Sequence, residues 1–341
     1  MEECIKEKER LDYMDIAKGF GIICVIIGHM ENSAINRFVF SFHMPLFFLI
    51  SGYFLSERRS PKEELIKRIK QLLPPYIFTC ICIMALSIEK GLFGILIGHK
   101  NVCDLLLDLG RWLYASLYGA GTNHDTPFQI IQIGAIWFLL ALILGTYIVQ
   151  KVRKTRTPLI WIIFVALIGY FSSKIFWLPW SIQAAMTATV FIYFGVLLRR
   201  YNAFEGNYQK VIFTSALVFW INEIIHGNPS LSIVRNCYPN GAFDFIGGEC
   251  GAICVIFIVK YVYEHMKYRW IWSVWQWLGK NSLTILCIHL IELNMIPWNL
   301  LLGMYGFNQH LFIQTFILKL FWALGGTWII NHTKLRFIFV S

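Results

Sequence analysis

Three ionisable side chains in an apolar segment near the N-terminus are the residues of this sequence best placed to do chemistry. Asp15 and Lys18 lie at one end of the segment DIAKGFGIICVIIGH and His29 at the other. Lys18 and His29 are eleven residues apart, a helical spacing that returns to nearly the same face and separates them by about 16 Å. Because a central lysine costs about 2.5–3.5 kcal/mol in a bilayer, such residues usually face a bundle interior and mark a site.

A second histidine is expected close to His29. The connection after the first apolar segment is short, which predicts antiparallel neighbouring helices with His29 and His43 at similar heights in the outer half. Pro45 should kink the second helix or leave a backbone carbonyl without its helical hydrogen bond. Ser51 adds a small polar side chain to this helix. The alternative is a purely structural role, in which both histidines are buried and bonded to carbonyl groups. We favour a site because several ionisable groups fall on one helix pair.

His289 and Glu292 form another candidate pair, late in the chain. They are three residues apart in NSLTILCIHLIELN, so they can share a helix face, and the carboxylate can orient or charge the imidazole. A polar contact between two helices is the alternative. At the cytoplasmic end, Lys18 and Arg68 adjoin apolar sequence and carry charges suited to a polyphosphate ligand.

The elements that must position these residues are apolar helices. The 341 residues are 57% hydrophobic and only 15% charged, against about 25% charged in soluble domains. Ten segments approach the roughly 20 residues needed to cross about 30 Å of hydrocarbon. They are residues 15–33, 37–55, 73–90, 131–150, 158–173, 180–198, 211–226, 241–263, 280–297 and 311–330. The sequence therefore predicts an all-α polytopic membrane protein, a bundle of about ten transmembrane helices in one domain covering residues 1–341.

The distribution of cations orients this bundle. With the N-terminus inside, about 23 of the 30 Lys and Arg residues fall on the inner side, a strong positive-inside bias. Both termini are therefore expected in the cytoplasm, with basic loops at 56–72, 151–157, 199–210 and 264–279. The expected location is the bacterial cytoplasmic membrane, in multiple passes. Membrane lipids account for the net charge of +10, so no nucleic-acid partner is expected.

Cysteines and histidines do not form a metal-binding pattern in the sequence. There is no HExxH motif and no cluster with zinc-ligand spacing, so no metal is expected. Most cysteines fall inside predicted spans, where a free thiol behaves as a small apolar group. Cys103 and Cys237 both fall on the predicted outer side, and the sequence leaves open whether they pair.

Several segments together resemble the acyltransferase 3 family of membrane O-acyltransferases. The matching stretches are LDYMDIAKGFGIICVIIGH, FVFSFHMPLFFLISGYFL, a basic segment ending KRIKQLLPPY, then AIWFLLALIL and LGKNSLTILCIHLIE. They are dispersed over residues 11–290, and the fucose 4-O-acetylase-like branch is the most similar. One feature differs: many relatives have a Glu shortly after the Trp137-Phe138 pair, where this chain has only Leu and Ala.

The resemblance implies transfer of an acyl group, with acetyl favoured, from cytosolic acyl-CoA to a hydroxyl. His29 would be the catalytic base, His43 or backbone donors near Pro45 would stabilise the oxyanion, and Asp15 would orient Lys18. Lys18 and Arg68 would bind the phosphates of acetyl-CoA, a co-substrate rather than a tightly bound cofactor. The residues that we assign to the acceptor substrate are Ser51, Trp137, His289 and Glu292.

The expected acceptor is a sugar or a lipid-linked or cell-surface glycan, with a polyprenyl carrier as one option. The sequence leaves open the acceptor's identity, the membrane face of transfer, and whether an acyl-histidine intermediate forms. The alternative function is a proton-coupled transporter or flippase, since intramembrane Asp, Lys and His also build proton relays. The inverted repeats and paired broken helices typical of transporters are not evident in the sequence.

Overall fold

A computed structural model describes residues 11–30, 33–125, 128–226, 231–266, 269–298 and 311–339 of the chain. Within these ranges the regular structure is helical, with two isolated β-bridges and no strand. The α-helices in the described ranges are α1 (Asp12–Gly28), α2 (Ser33–Phe40), α3 (His43–Tyr53), α4 (Pro61–Leu96), α5 (Val102–Tyr118), α6 (Trp137–Val152), α7 (Pro158–Ser172), α8 (Ile182–Arg200), α9 (Gln209–His226), α10 (Ala242–His265), α11 (Arg269–Lys280), α12 (Ser282–Met295), α13 (Leu311–Asn331) and α14 (Arg336–Phe339).

Helix length and composition agree with a polytopic membrane protein. Among the described residues, five helical segments are long and apolar enough to cross a membrane: Ala34–Tyr53, Pro61–Leu96, Pro179–Arg200, Ala242–His265 and Phe312–Asn331. Three shorter apolar helices, α6, α7 and α12, lie among them. The all-helical fold is therefore as predicted, while the number of ten spans and the cytoplasmic termini stay predictions.

The predicted span 37–55 is interrupted at Ser41–Phe42 rather than continuous. Pro45 lies four residues after Ser41. A proline has no N–H to donate, and its ring collides with the carbonyl four residues earlier, so a helix running through this point is disfavoured. The chain forms two helices instead, α2 and α3, and the expected effect of Pro45 is confirmed. As a result, His43 lies in the first turn of α3.

The prediction of a basic loop at 56–72 is wrong for most of that segment. Helix α4 begins at Pro61 and runs for 36 residues, which is about 54 Å, much longer than a bilayer's hydrocarbon core. Its start is fixed by a capping box, in which the Ser60 hydroxyl accepts from the Glu63 N–H and the Glu63 carboxylate accepts from the Ser60 N–H. Arg68 is therefore held on a helix.

The segment 264–279, also predicted as a loop, contains helix α11, which packs tightly on α1. A Cβ on Gly19 would lie 2.4 Å from the carbonyl oxygen of Trp275, and one on Gly279 would lie 1.7 Å from that of Asp15. Only glycine permits this approach of two backbones. The crossing brings the KGFG and LGKNS motifs into direct contact.

Helix α12 carries two of the predicted site residues, His289 and Glu292. It packs against α1, α4, α11 and α13. The helix is short, with 14 residues from Ser282 to Met295. Most of its residues from Thr284 to Met295 are buried, including both ionisable ones. The packing of α12 brings the C-terminal end of α1 and the middle of α13 to the same place.

The polar segment that follows α4 begins with helix α5. Helix α5 has its own capping box, formed by Asn101 and Asp104. Cys103 is exposed on its first turn, and Cys237 is half-buried. Both are free thiols in this structure.

Candidate functional site

The structure brings His29 together with His289, two residues from opposite ends of the chain. His29 follows the last residue of α1, and His289 lies in the middle of α12. Their ring centroids are 5.4 Å apart, with the ring planes inclined at 51°. His289 is fully buried, whereas His29 keeps an exposed surface. One member of the pair is therefore reachable from outside the protein core.

Glu292 determines which nitrogen of His289 carries the proton. One carboxylate oxygen of Glu292 lies 2.8 Å from Nδ1 of His289, and the other lies 2.8 Å from Nζ of Lys319 on α13. The indole N–H of Trp298 also donates to Glu292. A carboxylate surrounded by an ammonium group and an indole N–H is held ionised and can only accept. Nδ1 of His289 is therefore the donor.

The second nitrogen of His289 is consequently a lone-pair acceptor. In a neutral imidazole one nitrogen donates and the other accepts, so Nε2 has no proton when Nδ1 has one. This Nε2 is buried and has no hydrogen-bond partner among the described residues. A carboxylate that orients an imidazole with a free second nitrogen is the arrangement that catalytic dyads and triads use.

Lys319 is the ionisable residue of this cluster that sequence reasoning missed. Its side chain is only 7% exposed and pairs with the fully buried Glu292. A signal was available, because Lys319 is the single charged residue in the predicted span 311–330, and intramembrane charges usually mark a site. Trp298 lies beyond the end of α12 and had no comparable signal.

His43 is buried and bonded to a backbone carbonyl, as in the alternative that the sequence left open. Its Nδ1 lies 2.8 Å from the carbonyl oxygen of Val39, and its ring meets Phe40 edge-on. A carbonyl only accepts, so Nδ1 of His43 donates and Nε2 lacks a proton in the neutral ring. His289, His43 and Lys319 all lie within electrostatic range of His29.

Ser51 and Trp137 lie in the packed interior. The Ser51 hydroxyl oxygen is buried without a hydrogen-bond partner among the described residues. Trp137 opens α6, is nearly inaccessible, and packs at 6.3 Å from the ring of Phe48. Trp137 belongs to the main apolar cluster of the bundle. Their assignment to the acceptor substrate stays a prediction.

The two cations at the predicted cytoplasmic end pair with different carboxylates. Lys18 lies 2.6 Å from Asp15, which is three residues earlier on α1, and its side chain is 26% exposed. Arg68 lies 2.8 Å from the buried Glu64, which also pairs with Arg59 at 3.3 Å. Both cations are thus oriented by a neighbour on their own helix and keep some accessible surface.

Comparisons with known proteins agree with the resemblance seen in the motifs. The profile of the acyltransferase domain family matches residues 11–332. The nodulation protein NolL of Mesorhizobium japonicum is 29% identical over 164 residues, 44% of this chain and 38% of that protein. NolL of Sinorhizobium fredii is 30% identical over 152 residues, 40% of this chain and 35% of that protein. The match therefore spans little more than a third of either relative, and no solved structure matches the chain.

Proposed function

Because this chain belongs to the acyltransferase 3 family, we propose that it is a membrane O-acyltransferase that moves an acetyl group from cytosolic acetyl-CoA to a sugar hydroxyl. The observation that carries the proposal is the meeting of His29 with the His289–Glu292 pair. Acyl transfer to a hydroxyl needs a base beside an accessible position, and His29 is the accessible member of this group.

His29 would take the proton of the acceptor hydroxyl. As His29 becomes an imidazolium ion, the lone pair of the neighbouring His289 and the carboxylate of Glu292 behind it stabilise the developing charge. Lys319 holds Glu292 ionised in the absence of substrate. Such general-base assistance is worth about 10²–10⁴-fold in rate.

The proposed acetyl transfer needs no reactant besides acetyl-CoA and the acceptor hydroxyl. The hydroxyl oxygen attacks the thioester carbonyl carbon, a C–O bond forms, and the C–S bond breaks. The proton taken by His29 passes to the departing thiolate of CoA. A neutral His43 has no proton on Nε2, so its predicted oxyanion role requires the doubly protonated ring.

The donor would enter from the inner face. Lys18 and Arg68 are proposed to hold the CoA phosphates, because both are oriented cations with accessible surface. The pantetheine arm would then run along α1 toward His29, over the roughly 16 Å that separates the two helix positions. This length is comparable to an extended pantetheine, so the donor can bridge the two ends of the site.

The direct test is the His29→Ala variant of the full chain, purified into lipid nanodiscs. We expect transfer of radiolabelled acetyl from acetyl-CoA to a sugar acceptor to fall by about 10²–10⁴-fold. His332→Ala is the matched control, because His332, like His29, is an exposed histidine that directly follows the last residue of a helix. Retained transfer by a correctly inserted His29→Ala protein would contradict the base assignment.

The acceptor can be identified in cells that make the protein. Mass spectrometry of surface glycans, with and without the protein, should show the loss of one acetyl mass from a single glycan species. The His29→Ala protein should reproduce that loss. Unchanged acetylation in both strains would count against a glycan acceptor.

A further inference from the structure

Four arginine side chains from different parts of the chain come together at the predicted cytoplasmic end of the bundle. Arg68 lies on α4, Arg153 directly follows α6, Arg199 is the penultimate residue of α8, and Arg59 lies in the loop between α3 and α4. Arg59 and Arg68 pair with the buried Glu64, at 3.3 and 2.8 Å. Arg153 lies within electrostatic range of both Glu64 and Arg199. We call these four residues the arginine cluster.

The arginine cluster keeps most of its hydrogen-bond donors for a ligand. A guanidinium group has several N–H donors, and among the described residues each of the four commits a single nitrogen to a protein partner. The bonded pairs are Arg68 Nε and Arg59 Nη1 with Glu64, Arg153 Nη2 with the Ser56 carbonyl, and Arg199 Nη1 with the Tyr53 carbonyl. The side chains of Arg59 and Arg68 are 38% and 14% exposed, and Arg199 is exposed. The remaining donors can therefore be reached from outside the bundle.

The arginine cluster has more positive charge than its neighbours neutralise. The charged groups paired with it or in electrostatic range of its members are Arg59, Lys67, Arg68, Arg153, Lys154 and Arg199 on one side and Glu57, Glu63 and Glu64 on the other. Six cations against three carboxylates leave an excess of three positive charges. A phosphate monoester carries a charge of about −1.5 to −2 at pH 7 and has three acceptor oxygens, which guanidinium groups bind in pairs. The cluster therefore suits a phosphate monoester better than a singly charged phosphate diester.

Buried polar side chains fix the arginine cluster from below. Gln150 of α6 is fully buried, and its Nε2 donates to the carbonyls of Ser56 and Arg59, in the loop between α3 and α4. Glu64, also fully buried, orients Arg59 and Arg68. The positive-inside bias places cations in loops, but it does not require buried polar groups that hold those cations in one arrangement. The cluster is therefore part of the packed fold.

The arginine cluster and Lys18 border the same apolar core. Ile22 lies one turn after Lys18 on α1, and Leu72 lies one turn after Arg68 on α4. Both Ile22 and Leu72 are buried in the main apolar cluster of the bundle. Because helical residues four apart share a face, Lys18 and Arg68 lie at the edge of that apolar cluster on its predicted cytoplasmic side. A ligand with phosphates at two separate points can therefore contact both.

From these observations we infer that the arginine cluster binds the 3′-phosphate of acetyl-CoA and makes the protein selective for CoA over dephospho-CoA. This inference rests on the proposed function and specifies how its donor is recognised. CoA has one phosphate monoester, on the 3′-oxygen of its ribose, and a diphosphate that is esterified at both ends. The diphosphate is left to Lys18, a single ammonium group that already pairs with Asp15. Dephospho-CoA lacks only the 3′-phosphate.

Equilibrium binding tests the arginine cluster without any transfer reaction. The full chain in phosphatidylcholine nanodiscs is titrated with CoA and with dephospho-CoA. We expect CoA to bind about 10–100-fold more tightly, the usual effect of hydrogen bonds to a charged group. Arg199→Gln should reduce this preference by about tenfold. Arg156→Gln should keep it, and is the matched control because Arg156 is an exposed arginine three residues after Arg153 and outside the cluster. Equal affinities of the unsubstituted protein for the two ligands would overturn the inference.

Transfer kinetics separate binding of the 3′-phosphate from a structural role. The measurement is the ratio of kcat/KM for acetyl-CoA over kcat/KM for acetyl-dephospho-CoA. We expect Arg153→Gln to lower this ratio by about tenfold. If Arg153 only held the Ser56 carbonyl, its loss would affect both donors alike and the ratio would stay constant. A constant ratio in both Arg153→Gln and Arg199→Gln would therefore contradict the inference, even where total activity falls.

Lipid composition distinguishes the donor from a lipid headgroup of the same chemistry. Phosphatidic acid also presents a phosphate monoester, so the binding titration is repeated with phosphatidic acid or phosphatidylglycerol in the nanodiscs. We expect the preference for CoA to persist with both lipids. Loss of the preference with phosphatidic acid alone would assign the arginine cluster to a lipid headgroup and overturn the inference.

The outcomes for this inference and for the proposed function are distinguishable. A preference for CoA in binding, without transfer to any acceptor, would count against the acyltransferase proposal and support the arginine cluster. Transfer from both donors with equal kcat/KM would support the acyltransferase and overturn the role of the cluster. Absence of CoA binding would contradict both.

Discussion

The polar residues at the two ends of α1 are held in different ways. At the predicted cytoplasmic end, each cation pairs with a carboxylate on its own helix, Lys18 with Asp15 three residues away and Arg68 with Glu64 four residues away. At the other end, His29 meets residues of α12, and Glu292 of α12 pairs with Lys319 of α13. The first arrangement is local, and the second joins three helices.

This difference indicates different roles for the two ends of α1. The side chains of Lys18 and Arg68 are 26% and 14% exposed, so a ligand's phosphate can contact either cation while its buried carboxylate partner stays in place. A buried network cannot lose one member without leaving another charge unpaired. The end of α1 with Lys18 is therefore suited to binding and release, and the end with His29 to a fixed geometry for chemistry. Substitutions should affect the two ends by different amounts and in different kinetic constants.

The largest effect after loss of His29 is expected from Glu292→Gln. The amide no longer fixes the tautomer of His289, so kcat for acetyl transfer should fall by about 10–100-fold, the usual consequence of removing a residue that orients a histidine. The measurement is steady-state transfer by protein in nanodiscs. Glu264→Gln is the control, because Glu264 is an exposed glutamate in a loose pair with Lys260. Activity within twofold of the original would remove Glu292 from the mechanism.

Lys319→Met should mainly affect stability. It leaves the buried carboxylate of Glu292 without its cation, and breaking a buried ion pair costs about 3–5 kcal/mol. Lys100→Met, which breaks a partly exposed pair with Asp108, should cost at most about 1 kcal/mol. Denaturant-induced unfolding in detergent measures the free energy of unfolding of both variants. The double variant Glu292→Gln/Lys319→Met should recover much of the loss, and strict additivity would contradict a coupled pair.

Substitutions at the inner end should change donor binding rather than turnover. Lys18→Gln or Arg68→Gln removes one charged hydrogen-bond partner of the CoA phosphates, which corresponds to about a tenfold rise in KM for acetyl-CoA. We expect kcat to change little. Lys151→Gln is the control, an exposed lysine at the end of α6. A fall in kcat at unchanged KM would place Lys18 or Arg68 in the chemical step instead.

The smallest effect is expected in a polar loop outside the candidate membrane spans. His124 stacks on Trp177 at 4.5 Å, and burial lowers its pKa, aided by Arg235 and opposed by Asp125. The unfolded chain therefore binds more protons near the ordinary histidine pKa, so this increment of stability is present above about pH 6.5 and is lost as the pH falls. His124→Phe keeps the stacking and should flatten the dependence of Tm on pH. Identical pH profiles would exclude His124 as the source.

Helix positions were largely readable from composition. The predicted spans 158–173 and 211–226 correspond to α7 and α9 within two residues at each end, because long apolar runs specify helices in a membrane. The boundary errors had local causes. The α4 start was missed although Ser60, Pro61 and Glu63 form a readable capping signature, and the break before His43 follows from Pro45.

The sequence by itself determined the membrane class, the pairing of Lys18 with Asp15 and the closeness of His289 to Glu292, because these depend on composition or on spacing within one helix. Only the tertiary structure decided that His29 meets His289 and that Lys319 completes the network. Those contacts join residues far apart in the chain through the packing of α1, α12 and α13. No periodicity encodes them, since packing between helices depends on the shapes of whole faces, such as the Gly19–Gly279 crossing.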